Sequence, residues 1–227
     1  MTTIDGRDDR RERLSSMRRA IARTMSESAA IPQFTLERTA RMDAVMDVRA
    51  ELRKAGAAVS PIDFVILACA RALVSHPELN STFEPEAIVL HGHVNIGVAL
   101  ALPGGLVSPA ILDADQRSLD QLALERRRLL DAAQTGALRR EEFFGATFTV
   151  SHLGPYGVER FQALVVPGQA GILAVGAAQN TPTGLPSLAL CLSCDHRAVD
   201  GAPAAAFLAT VVEALADARS FVADASE

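Results

Sequence analysis

A chain of 227 residues with 49% hydrophobic and 22% charged side chains has the composition of a globular protein, with enough apolar material for one large core. A formal net charge of -5 gives no electrostatic reason for a nucleic-acid partner. No apolar run reaches membrane-spanning length and the N-terminus is charged, so neither membrane nor signal peptide is expected, and a cytoplasmic location is.

In chain order, residues 1–13 mix Asp, Glu and Arg with almost nothing apolar and read as a flexible arm. Residues 14–227 read as one domain. Ser15 or Ser16 caps a helix with Met17, Ile21 and Met25 on one face, closed by Pro32. Phe34 to Met42 alternates as a strand. Asp43 is placed as the cap of a helix carrying Val45, Met46, Val48 and Leu52, ending at Gly56. Ser60-Pro61-Ile62-Asp63 is a helix start, and Phe64 to Ser75 is apolar all round, hence buried. Strands follow at Ala87–His91, Val94–Leu102 and Leu106–Leu112, the last two joined by Pro103-Gly104-Gly105.

Ser118 opens an amphipathic helix through Leu122, Leu124, Leu129 and Leu130, with Arg126 to Arg128 as its solvated face. Strands are expected at Ala146–Ser151, Phe161–Val166 and Ile172–Ala178, with a turn at Gly154–Gly157. Helices interleaved with hairpins predict an α+β fold, a mixed and mostly antiparallel sheet covered by helices.

The last block, Ser187 to Ala206, is the most informative. Leu188, Leu190 and Leu192 alternate with small residues in a run long enough to be a strand buried on both faces. It breaks at Asp195-His196-Arg197, and after Asp200-Gly201 a helical pattern resumes. A histidine at the end of a core strand is rigidly presented. On the residues alone, Asp200 is equally the N-cap of that helix and His196 a satisfied loop histidine.

Cys191 and Cys194 form a C-x-x-C, but positions three apart in a strand face opposite ways and cannot share a metal or a disulfide. With Cys69 they are read as buried reduced thiols. His91 and His93 share a strand face without an evident third ligand and are read as edge histidines, so no metal is expected. Lys54 is the only lysine and sits in a helical pattern, which argues against a lysine-linked carrier arm in this chain.

From about Leu14 to Val222 the chain resembles the catalytic domain of the 2-oxo acid dehydrogenase dihydrolipoyl acyltransferases. The resemblance runs through SSMRRAIARTMSES, IPQFTLE, SPIDFVILACARALVSHPELNSTF, VNIGVALALPGGLVSPAILDAD, GATFTVSHLG, ILAVGAA and SCDHRAVDGAPAAAF, in the family's order. It implies the two-layer sandwich of chloramphenicol acetyltransferase, a homotrimer with active sites between subunits, and acyl transfer between dihydrolipoamide and coenzyme A. By resemblance His196 is the general base, Ser151 from the adjacent subunit is the oxyanion donor, and Asp200 orients the site through a salt bridge, with Arg18 as candidate partner. The implied partners are a lipoyl group on a separate carrier and other components of a dehydrogenase complex.

His152 stands where the family usually has asparagine, serine or an aromatic, and Cys194 where an aromatic is common. No lipoyl or subunit-binding domain is recognised in the chain. The polar end Ala223–Glu227 leads to the expectation of a trimer without larger shells. Two other readings stay open: a coenzyme A-dependent acyltransferase on a small hydroxyl or amine, and a core-organising protein of low activity.

Overall fold

Helix starts and strand alternation set the frame. The structure, a computed structural model, describes residues 11–102 and 105–223. The Ser15 hydroxyl accepts the Arg18 N–H and opens α1 (Ser16–Ala29). Strand β1 (Gln33–Arg41) follows, then α2 (Asp43–Lys54). The cap of α2 is Met42, not Asp43 as expected; the Asp43 carboxylate is drawn instead to Arg41, 2.8 Å away. Helix α3 (Pro61–Ser75) starts as expected, with the Asp63 carboxylate accepting both the N–H and the hydroxyl of Ser60. Its residues 62–70 are all buried, the central helix of the core.

A small hairpin pairs β2 (Ser81–Glu84) with β3 (Ala87–Leu90). The single strand expected over 94–102 is two. β4 (Ile96–Val98) belongs to the main sheet, and β5 (Leu100–Leu102) leaves it to pair with β6 (Gly105–Val107). The 106–112 strand breaks likewise: Pro109 has no N–H to continue a ladder, and β7 (Ala110–Ile111) returns to β4. Of the expected turn between them, Pro103 and Gly104 lie outside the described residues. Ser118 and Gln121 form a reciprocal cap for α4 (Leu119–Thr135), and α5 (Arg140–Phe144) leads to β8 (Phe148–His152). Then come β9 (Gly171–Val175), β10 (Gln179–Asn180), β11 (Pro186–Asp195), α6 (Gly201–Ala216) and α7 (Ser220–Ala223).

Phe161–Val166 is not a strand. Side chains take the backbone groups a ladder would use: Gln33 Oε1 accepts the Val165 N–H at 2.9 Å, and Ser28 donates its hydroxyl to the Val165 carbonyl at 2.6 Å. The segment covers part of the sheet through a small cluster of Ile31, Val165 and Ile172.

The main sheet runs β1-β11-β9-β8-β4-β7, with β10 beside β11. β9, β8 and β4 are mutually parallel and the other pairings antiparallel. One face carries Leu188, Leu190, Leu192 and Cys194 of β11 with Leu173, Val175, Phe148 and Val150, all in the core shared with the helices. The other face carries small or polar side chains, Cys191, Ser193, Ala174, Thr149 and Ser151. The fold is therefore α+β with a mixed sheet, as the element order predicts. No described helix is long and apolar enough to cross a membrane.

The arginine run on α4 is only partly a solvated face: Arg128 is exposed, but all three side chains are engaged. Arg126 Nε lies 2.5 Å from the fully buried carboxylate of Asp63, Arg127 donates to the Ala58 carbonyl, and Arg128 bridges Glu125 and the buried Glu142. Arg139 also grips Glu142, at 2.6 Å. Asp63 is 63 positions from Arg126 and Glu142 is 14 from Arg128, so a run that looks like surface charge also answers two buried acids. Burial alone pushes the Glu142 carboxyl up, but bonds from Arg139 and Arg128 overcome it and hold the group at about 2.

Two outcomes follow. Arg126→Ala takes the guanidinium away from the buried Asp63 carboxylate, and should cost about 3–5 kcal/mol in denaturant unfolding. The depressed Glu142 stabilises the fold fully above its unfolded value, near 4.5, and this contribution is lost as pH falls toward about 2. Glu142→Gln should therefore flatten the acid limb of the stability–pH curve between those values, read by thermal unfolding against pH.

Candidate active site

The site is built where β11 ends. Asp195 is buried, and its N–H donates to the Ala170 carbonyl at 2.9 Å. Its carboxylate accepts the backbone N–H, Nε and Nη2 of Arg197 at 2.7–3.2 Å. Its carbonyl accepts the N–H groups of Ala198 and Val199, both at 3.0 Å. The guanidinium of Arg197, clamped this way, lies 4.5 Å over the Phe83 ring. The chain turns sharply with its charges spent on each other, and His196 stands between them.

The His196 N–H donates to the Pro32 carbonyl at 2.9 Å, and its ring lies 4.6 Å from that of Phe34. The imidazole side chain is 51% exposed. Asp200 takes the extended backbone of an N-cap for α6, but its carboxylate makes no capping bond. It sits 3.6 Å from His196 Nδ1 and is otherwise open to solvent. Of the two roles open to Asp200 in the sequence, the structure shows its side chain beside His196 rather than on the helix end.

Ser151 is elsewhere. It lies on β8 in register with Ala174, which is in register with Cys191 on β11. His196 is five residues beyond Cys191, about 16 Å along the strand direction at ~3.3 Å per residue. One copy of the chain therefore does not bring Ser151 and His196 together. Arg18 stands on the exposed α1, and no ion pair joins it to Asp200 within the chain. His152, next to Ser151, is half-buried; burial and then Arg126 push its pKa down, so its imidazole is neutral at pH 7.

The cysteines divide as their spacing predicts. Cys191 donates its thiol to Glu37 at 3.2 Å on one face of the sheet, and Cys194 lies in the helix-side core on the other. His91 and His93 also part company. His91 Nε2 lies 2.9 Å from the Thr82 hydroxyl, and His93 Nδ1 lies 2.8 Å from Asp113. Among the described residues no three His, Cys, Asp or Glu side chains gather as a metal site. A cavity of about 900 Å³ lined by Ile21, Met25, Leu106, Phe143 and Val166 contains neither His196 nor Ser151.

The catalytic-domain family of the 2-oxoacid dehydrogenases acyltransferases matches residues 6–223. The chain belongs to this family. It is 36% identical over 208 residues to the dihydrolipoyllysine-residue acetyltransferase component of the pyruvate dehydrogenase complex of Rickettsia felis, covering 86% of this chain and 50% of that protein. The chain thus spans about half the length of the curated relatives it matches.

Among solved structures, the dihydrolipoamide acetyltransferase of Azotobacter vinelandii superposes with a TM-score of 0.89 at 30% identity, over 98% of each chain. That study concerns the role of a serine, a histidine and, four positions after it, an asparagine in its catalytic mechanism. The cubic core of a pyruvate dehydrogenase multienzyme complex matches equally well, with the same TM-score, identity and coverage. A chloramphenicol acetyltransferase, at 15% identity and a TM-score of 0.56 over 85% of this chain and 94% of that one, shares the fold alone.

Within this acyltransferase domain, sequence reasoning missed Phe34, Phe83 and the Asp195–Arg197 clamp. Asp195 and Arg197 flank His196 in the sequence, and a buried acid two residues from an arginine was the available signal. Phe34 and Phe83 had none, because only strand register and the hairpin bring them near.

Thiol chemistry gives a direct check. Burial pushes Cys191 up to about 11 and Cys194 to about 12, and raises Cys69 as well. The folded domain should show no fast-reacting thiol toward an aromatic disulfide at pH 8, and three after denaturation. A fast equivalent in the folded state would place one cysteine at the surface.

Proposed function

We propose that this domain transfers an acyl group between the thiols of dihydrolipoamide and coenzyme A, as the core component of a 2-oxo acid dehydrogenase complex. The observation that carries the reading is His196: a half-exposed imidazole on a rigid strand end, followed four residues later by an acid that lies beside it, in a chain of the acyltransferase family. The acetyl-transfer names of the relatives support the class of reaction.

The chemistry has three parts. A thiol near pKa ~8.5 is a poor nucleophile until it loses its proton. His196 takes that proton as the coenzyme A sulfur attacks the thioester carbonyl; a new C–S bond forms and the carbonyl electrons move to oxygen. The tetrahedral oxyanion is held by a hydroxyl, the role given to Ser151, and collapse expels the dihydrolipoamide sulfur, which recovers the proton from His196. Asp200, 3.6 Å from Nδ1, takes the role of orienting the site and moves no proton. The reverse direction uses the same groups.

The separation of Ser151 from His196 within one chain supports a site shared between copies. We infer a homotrimer, the smallest closed ring in which each copy gives His196 to one neighbour and receives Ser151 from the other in the family's arrangement. Arg18 is then the candidate partner of Asp200. Coenzyme A is a substrate here, the lipoyl group comes on a separate carrier, and no metal takes part. A cytoplasmic setting fits this role. Residues 224–227, on which the expectation of trimers without larger shells rests, lie outside the described residues. A small hydroxyl or amine acceptor has the support of fold likeness alone.

In a thiol-release assay with acetyl-coenzyme A and free dihydrolipoamide, His196→Ala should lower turnover by about a thousandfold with the fold intact. Retention of activity within about tenfold of wild type would sink the base assignment. Mixing His196→Ala with Ser151→Ala copies under subunit exchange should restore part of the activity, because some interfaces then carry both side chains. Verified exchange with no recovery counts against the shared site.

A further inference from the structure

We propose that Phe34 is the positioning residue for the His196 imidazole, setting the ring's orientation through a diagonal cross-strand contact; this rests on the reading of His196 as the base. The geometry begins in the register of β1 and β11. Phe34 is directly opposite Cys194, and His196 is two residues further on. In an antiparallel pair the diagonal neighbour at j+2 lies on the same face, within reach of an aromatic side chain. The two rings meet at 4.6 Å between centroids with an interplanar angle of 54°. The directly opposite residue is small: Cys194 leaves the Phe34 ring free to reach along the strand toward His196.

The rest of the surroundings fix the backbone of His196 and leave its ring to Phe34. The His196 N–H is tied to the Pro32 carbonyl, which joins the turn after β11 to the residue just before β1. Asp195 and Arg197 consume each other's polar groups, and Arg197 is further held over Phe83. Neither flanking charge is directed at the imidazole. Asp200, at 3.6 Å, is too far for a good hydrogen bond and is itself largely exposed. The ring packed beside the imidazole in one copy of the chain is that of Phe34, 4.6 Å away.

A base must present one nitrogen toward the incoming thiol, and a freely rotating imidazole spends only part of its time so aligned. Phe34 narrows that distribution before substrate arrives. Its contribution is orientation, so it acts on turnover and not on substrate affinity.

The test uses Phe34→Leu and Phe34→Tyr in the full chain. Two readouts are independent of each other. In proton–carbon spectra, the His196 ring protons, assigned by their loss in His196→Ala, should be shifted upfield by the Phe34 ring. They should return toward unshifted positions in Phe34→Leu and stay shifted in Phe34→Tyr. In the transfer assay, Phe34→Leu should lower kcat about tenfold, the rate equivalent of one aromatic pair, with KM for acetyl-coenzyme A within about twofold. Phe34→Tyr should restore at least half of the wild-type kcat.

Unchanged His196 ring shifts in Phe34→Leu overturn the contact. An unchanged kcat in Phe34→Leu, with His196→Ala inactive, overturns the positioning role and leaves the base assignment standing. Activity surviving in His196→Ala overturns the base reading, while the spectral result still decides the contact.

Discussion

The structure depends on β11 being paired along both edges while buried along most of its length, with leucines on one face and small or polar side chains on the other. Its backbone is tied to β1 over nine register pairs and to β9 over five. A strand so placed cannot slip by one residue, because that would exchange Leu188, Leu190 and Leu192 with the small side chains of the opposite face. The end of β11 is therefore a fixed point. Asp195 converts this into a fixed turn by spending its carboxylate on Arg197 and its carbonyl on the N–H groups of Ala198 and Val199. His196 inherits that rigidity, which is what a proton-transfer group requires in the proposed reaction.

A rigid scaffold of this kind also keeps Ser151 and His196 apart in a single copy. The central sheet presents His196 beyond one end of β11 and Ser151 near the opposite end of β8, and no plausible side-chain motion closes about 16 Å. In the proposed reading the sheet works as a spacer: each copy offers a base at one edge and a hydroxyl at another, and the reaction centre arises where two edges meet. Such a design couples activity to assembly.

The second energetic theme is the pairing of buried acids with the arginines of α4 and with Arg139, just before α5. Asp63 and Glu142 lie fully out of water, and each is answered by more than one donor. Buried ion pairs gain little over apolar packing, but breaking one is costly. Asp63 also closes the start of α3, so the pair with Arg126 ties the central helix to α4. The arrangement specifies how the helices dock on the sheet, and the docked helices supply the apolar face that holds β11.

The amino-acid sequence by itself determined the α+β class, the buried α3, a cap at Ser15 or Ser16, the caps at Ser60 and Ser118, the opposite facing of Cys191 and Cys194, and the placement of His196 at a strand end. Each rests on local periodicity or on a side chain bonding to its own neighbourhood, which a linear pattern records. The family resemblance was also legible there, through ordered blocks of residues. Only the tertiary structure decided that Arg126 and Arg128 face buried acids, that the alternating segment at 161–166 bonds to Gln33 and Ser28 instead of a strand, and that Phe34 lies against His196. It also decided that Ser151 and His196 are held apart. These depend on pairings between residues 14 or more positions apart, and the free energy of such a pairing belongs to both partners, so neither stretch carries the signal alone.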